Sequence, residues 1–331
     1  MSNLFKYAKK ELSQDAFLMW VVSNYDSKSS TLRKVAIQFI GFLMGDGSVI
    51  DPDDIKKITI EPQWMKIDVV INITTKNGDI TSIYIEDKVF SNEHNQLCKY
   101  NESIKKEREN RNNIKVFYKT DYIDEDEREH VKKAGWRIVD IEEIQSFWEQ
   151  FIACDDEIVA MYAERVNDIT LALKNEELPV AYCDDRAIEM LKWKGFFANY
   201  IFPNLDDEVK ECCDLEMLRT SYSYIAFVIR KRGYEYPIPY LEIRDRDCTN
   251  GHYKCLLLTY GMAGKNERCK DWDDIREINT RINDSSFFAV NNRTKQVLAT
   301  KKNSVKRRED FLARLNRCAK DYIEIINALY K

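Results

Sequence analysis

The stretch IYIEDKVF, residues 83–90, sets Glu86, Asp87 and Lys88 inside an otherwise apolar, β-branched and aromatic run, and KIDVVINITT, residues 66–75, carries Asp68 in a second run of the same kind. Side chains alternate along a strand, so Tyr84, Glu86, Lys88 and Phe90 share one face, while Ile83, Ile85, Asp87 and Val89 share the other. In the earlier run Ile67, Val69, Ile71 and Ile73 form an apolar face and Asp68 points away from it. A hairpin register that brings Asp68 beside Glu86 gathers two carboxylates and an ammonium at one point. Two such carboxylates must share a proton or bind a cation, and a few oxygen ligands with room for water suit Mg²⁺. An adjacent lysine can orient a water and stabilise charge developing on a phosphate, which is the equipment for phosphodiester hydrolysis. Taken alone, Glu86 and Lys88 read first as an ion pair on the exposed face of a strand whose other face is buried, and in the metal-site reading Asp87, pointing the other way, is incidental.

The elements that must position these groups follow from the pattern. KITIEPQW (57–64), KIDVVINITT and SIYIEDKV (82–89) read as strands, and Asn77-Gly78 between the last two is a hairpin signal. SNLFKYAKKELSQDAFLMWVV reads as an amphipathic helix burying Phe5, Ala8, Leu12, Ala16 and Trp20, with Glu11 beside that stripe. TLRKVAIQFIGFLMG is a second helix ending at Gly45. The helical stretch 92–111, the strand IKVFYKT (114–120), the loop and helix DEDEREHVKKAG and the strand WRIVDI then follow. Strands separated by helices in this order predict an α/β fold, a mixed central sheet flanked by helices.

Asp68 stands 18 residues before Glu86, Glu11 lies in the opening helix, and Gln96 and Tyr100 sit four apart on the helix after the strand. This set resembles the PD-(D/E)XK nuclease superfamily, whose core is restriction-endonuclease-like. IYIEDKVFSNEHNQLCKY is similar to the strand-to-helix segment of its single-chain bacterial members, with a RecB-like Gln-x-x-x-Tyr element, and ELSQDAFLMWVV resembles their opening helix. The resemblance covers roughly residues 1–150. It implies Asp68 and Glu86 as Mg²⁺ ligands, with Mn²⁺ able to substitute, and Lys88 as the catalytic lysine. It implies Glu11 as an acid supporting the metal, Gln96 and Tyr100 as residues positioning the site or meeting the nucleic-acid backbone, and Glu93 as a weaker candidate. The motif's proline is not adjacent to Asp68: Ile67 precedes it, and the nearest proline is Pro62. The family setting implies hydrolysis of DNA rather than RNA, in defence against foreign DNA or in repair. The competing readings are a module that keeps the fold and binds nucleic acid or protein without cutting, and for Glu11, Gln96 and Tyr100 ordinary places on helix faces.

The chain has 331 residues, 44% of them hydrophobic, which suggests two domains, placed at 1–175 and 176–331. Net charge is −5, so the whole molecule is no polycation, but residues 289–331 hold 11 basic and 4 acidic side chains. That basic stretch, with Tyr222, Tyr224, Tyr234, Tyr236 and Tyr240, makes the second, α+β domain a candidate for binding nucleic acid, a partner protein or a second copy of the chain. Nine cysteines without a signal peptide read as reduced thiols in a cytoplasmic protein, and no apolar run is long enough to span a membrane. Cys248, His252, Cys255 and Cys269 lack zinc-knuckle spacing and read as scattered structural residues.

Overall fold

The structure, a computed structural model, describes residues 5, 11–45, 51–89, 96–179, 185–221, 224–233, 239–246, 255–262, 297–303 and 307–329. The chain divides into two compact units, Met1–Leu171 and Ala172–Lys331.

The first unit is built on a five-stranded sheet in sequential order. Strands β1 (Ile55–Trp64), β2 (Ile67–Thr75) and β3 (Ile80–Lys88) are antiparallel neighbours. Strands β4 (Asn112–Lys119) and β5 (Arg137–Val139) then run parallel to β3. Helices α3 (Leu97–Arg108) and α4 (Glu125–Lys133) make the two crossovers that parallel pairing requires. Gly78, at φ +91°, closes the β2–β3 turn in a conformation open to glycine at no steric cost. Asp124 starts α4 by accepting the Glu127 backbone N–H at 2.8 Å.

Both faces of this sheet are covered, giving the mixed α/β architecture expected from the sequence. On one face Val70, Tyr84 and Phe117 pack with Leu97, Tyr100 and Ile104 of α3 and Val131 of α4. The other face is aromatic. Phe17 of α1 (Glu11–Ser23) stacks on Tyr162 of α6 (Glu157–Leu173) with centroids 3.9 Å apart, and Phe39 of α2 (Ser30–Met44) meets Tyr118 of β4 at 6.4 Å. Trp148, from α5 (Ile141–Trp148), completes the group 4.9 Å from Tyr162. Residues 82–88 of β3 are consequently buried on both sides, and the surface ion-pair reading of Glu86 and Lys88 does not apply.

The buried face of α1 differs from the expected stripe. Ala16 is exposed and Trp20 only partly covered, while Gln14, Asp15, Phe17, Leu18, Val21 and Val22 are buried. Counting apolar residues alone missed that two polar side chains face inward.

The second unit contains an antiparallel sheet in the order β10 (Val297–Asn303), β9 (Cys255–Met262), β8 (Pro239–Arg246), β7 (Tyr224–Lys231), β6 (Cys213–Ser221). Its core joins α7 (Arg186–Phe196), a π-helical turn over Phe197–Ile201, α8 (Asp207–Cys212) and α9 (Arg308–Leu329) through Trp193, Phe196, Phe197, Phe311, Leu315 and Tyr322. Lys301 and Lys302, from the basic stretch, lie in β10 at the register positions of Leu258 and Leu257 of β9. Tyr222, Tyr234, Tyr236, Cys248, His252 and Cys269 lie outside the described residues.

Candidate active site

The β2–β3 register pairs Val70 with Tyr84 and Val69 with Ile85, so the next position sets Asp68 against Glu86. The ladder stops there. Asp68 Oδ2 accepts the Asp87 backbone N–H at 2.9 Å, and its Oδ1 accepts Gln63 Nε2 at 3.1 Å. Glu86 Oε1 is 2.6 Å from Lys88 Nζ, with only 2% and 9% of the two side chains exposed. Burial, and secondarily the Asp68 charge, push the Glu86 carboxyl from 4.5 up to about 8, against the opposing pull of Lys88. Glu86 Oε2 is buried without a hydrogen-bond partner among the described residues.

That arrangement is electrostatically incomplete. The two carboxyl groups meet at the end of β3 beside one ammonium, so without a cation Glu86 keeps its proton up to about pH 8, and its second oxygen is buried with no hydrogen-bond partner among the described residues. Hard oxygen donors of this kind fit Mg²⁺ or Mn²⁺ with water in the remaining positions. No group of three or more His, Cys, Asp or Glu side chains with metal-binding geometry occurs among the described residues, so their share of this site is two carboxylates.

A second lysine, not singled out from the sequence, stands beside the first. Lys119 is the register partner of Lys88 on β4, fully buried, with Nζ 2.5 Å from Glu127 Oε2 of α4. Alternation in IKVFYKT, once β4 is set parallel to β3, places Lys119 on the Glu86 and Lys88 face.

Asp87 faces the opposite way, as alternation requires, but it is not incidental. It is fully buried and accepts Gln14 Nε2 of α1 at 2.6 Å. Gln14 Oε1 in turn lies 3.5 Å from the Thr120 hydroxyl, and the Thr120 N–H donates to the Lys88 carbonyl at 3.1 Å. Tyr118, its hydroxyl pushed well up by burial, receives the Trp148 indole N–H at 3.2 Å and lies 3.3 Å from the Tyr162 hydroxyl. Helix α1 therefore braces the back of the strand whose front carries Glu86 and Lys88.

The Tyr100 hydroxyl lies 3.0 Å from the Lys66 carbonyl oxygen and 3.3 Å from Gln96 Oε1. The Gln-x-x-x-Tyr pair thus grips the β1–β2 turn two residues before Asp68. That turn is strained: Gln63, Met65 and Lys66 have φ of +54°, +50° and +74° without a glycine among them. Each left-handed residue costs on the order of 1 kcal/mol. Glu11 opens α1, with its side chain outside what is described, and Glu93 lies outside the described residues altogether.

Among protein families, the sequence model described as the PD-(D/E)XK nuclease superfamily matches residues 2–178, more than half of the chain. Comparison with curated proteins and with solved structures returns no match.

Proposed function

The chain belongs to the PD-(D/E)XK nuclease superfamily, and from that membership we propose that its first unit is a metal-dependent nuclease hydrolysing phosphodiester bonds of DNA, with RNA the less favoured substrate. The observation that carries the reading is the partnerless Glu86 Oε2, buried in a cluster with Asp68 and Lys88. Asp68 and Glu86 would hold Mg²⁺, or Mn²⁺ in its place, with Glu11 as a supporting acid. When bound, the ion would supply Lewis acidity toward a phosphate oxygen and a more acidic water.

The chain's own groups do the rest. Lys88 carries its charge at the position where a phosphate in transfer becomes more negative, and its donors can orient the attacking water. A cation held by Asp68 and Glu86 would draw on the same carboxylate that now binds Lys88, and Lys88 is the group that would then meet the substrate phosphate. Gln96 and Tyr100 fix the turn that precedes Asp68. Burial on both faces of β3 keeps Glu86 and Lys88 from relaxing into bulk water. The second unit, in this proposal, selects the substrate or a partner, and the setting is defence against foreign DNA or repair.

The direct experiment incubates purified protein with single- and double-stranded DNA and with RNA, in Mg²⁺, Mn²⁺ or EDTA. Cutting that needs the ion and is lost in Lys88→Ala and Glu86→Ala is expected. Cutting that survives both substitutions belongs to a contaminant and removes the reading.

A further inference from the structure

The two hairpins of the first unit turn in different ways. The β2–β3 turn, at the end of the sheet away from Asp68 and Glu86, uses Asn77-Gly78 with Gly78 at φ +91°. The β1–β2 turn, beside Asp68, has Met65 at φ +50° and Lys66 at φ +74°. Asn-Gly is a sequence that takes a turn with two successive left-handed residues without strain. Met65-Lys66 in a place where Asn-Gly would cost less points to a use for the two side chains.

Their setting indicates for what. Met65 is 51% exposed, one of few large apolar side chains so placed among the described residues, and Lys66 is exposed beside it. The turn is nonetheless held: Tyr100 bonds the Lys66 carbonyl and Gln63 bonds the Asp68 carboxylate. An apolar side chain and an ammonium are thus presented on a fixed tip, one hydrogen bond from a candidate metal ligand.

We propose that the Met65-Lys66 tip is a substrate-gripping element, with Met65 packed against a base of the strand to be cut and Lys66 on a neighbouring phosphate. The proposal rests on the nuclease reading above. An apolar wedge paired with a cation fits nucleic acid, which offers stacked apolar faces flanked by phosphates. Because Gln63 links the tip to Asp68, correct seating of the strand is felt at the site.

The test measures binding of fluorescein-labelled single- and double-stranded oligodeoxynucleotides in a Lys88→Ala background, which separates binding from cutting. Converting the tip with Met65→Asn and Lys66→Gly together should weaken binding roughly tenfold, the effect of losing one buried side chain and one charge. The same protein should melt at or above the parent's temperature, because the strain is relieved; a lower melting temperature would contradict the strain argument and with it the proposal. Lys66→Ala alone should reduce the slope of log affinity against log salt by roughly one. Met65→Ala alone should weaken binding without changing that slope. Unchanged affinity and slope in these variants, in a protein that does cut nucleic acid, overturn the role of the tip and leave the nuclease reading standing. If the parent neither binds nor cuts nucleic acid, the nuclease reading fails and the tip's role fails with it.

Discussion

The Asp68 carboxylate accepts the backbone N–H of Asp87 at 2.9 Å, taking the place of a strand partner at the point where β2 stops pairing with β3. One side chain both ends the ladder and delivers a negative charge to Glu86. Function and stability pull in opposite directions here. Asp68→Asn keeps an oxygen for the Asp87 N–H while removing the charge that helps raise the Glu86 carboxyl, so the metal-free protein should be more stable at alkaline pH. The same change should weaken Mn²⁺ binding at least about tenfold. Thermal melts with and without metal, read beside calorimetry, check both; a destabilised variant that still binds Mn²⁺ normally would contradict the assignment.

The raised Glu86 carboxyl makes two pH dependences, and their signs follow from where the proton sits. Folded, the group holds its proton up to about pH 8; unfolded, it releases it near 4.5. Stability from this group is therefore full below the unfolded value and is lost as pH rises through the interval to about 8. Metal binding must displace the same proton, so Mn²⁺ affinity should rise with pH across that interval, by up to about tenfold per unit, and level off above it. Calorimetric titrations in buffers of different ionisation enthalpy would detect the released proton. A pH-independent affinity would place the ion elsewhere.

Lys88 is the ammonium balancing Glu86, so its removal acts twice. Lys88→Ala should lower cleavage by about 10²–10⁴-fold, in the range of a lost positioned charge or proton donor, with nucleic-acid affinity changed far less. It should also destabilise the metal-free protein at pH above 8, where the parent gains from the Glu86–Lys88 ion pair and the variant must keep Glu86 protonated or bury its charge unpaired, and added Mn²⁺ should recover part of the loss. Lys88→Arg is not a conservative rescue, because a planar guanidinium does not fit the place of a compact ammonium.

Gln14 supplies the brace from behind. Gln14→Ala removes a 2.6 Å buried hydrogen bond to Asp87 and should cost about 1–3 kcal/mol in urea unfolding. If the brace matters for more than stability, cleavage at a temperature where the variant is fully folded should fall as well. A loss confined to stability would make Gln14 purely structural.

How much of this could be read in advance varies from residue to residue. Alternation in KIDVVINITT and SIYIEDKV, joined by Asn77-Gly78, put Asp68 and Glu86 on faces that could meet, and the register that sets them side by side comes from the structure. The depth of β3 was not readable, since burial of a charged strand depends on helices that pack from both sides. The inward face of α1 was misread because Gln14 and Asp15 are polar, and only a buried partner such as Asp87 reveals why they point inward. Lys119 looks like any other lysine until β4 is known to run parallel to β3. Nothing in QWMK marks positive φ, as turns of that hand usually announce themselves with glycine or asparagine. In the second unit β6, β10 and α7 were not singled out from the sequence, although CDLEM at the start of β6 alternates strictly between apolar and acidic residues.

The central claim is that Asp68 and Glu86 are the carboxylates of a metal-dependent nuclease. The measurement that meets it most directly is anomalous diffraction from crystals soaked in Mn²⁺. The account predicts a peak within bonding distance of an oxygen of each residue, with Glu86 Oε2 among the ligands and Lys88 Nζ turned from its present 2.6 Å contact with Oε1. A well-ordered site with no peak there at saturating Mn²⁺, or a peak that persists in Glu86→Ala, would contradict it.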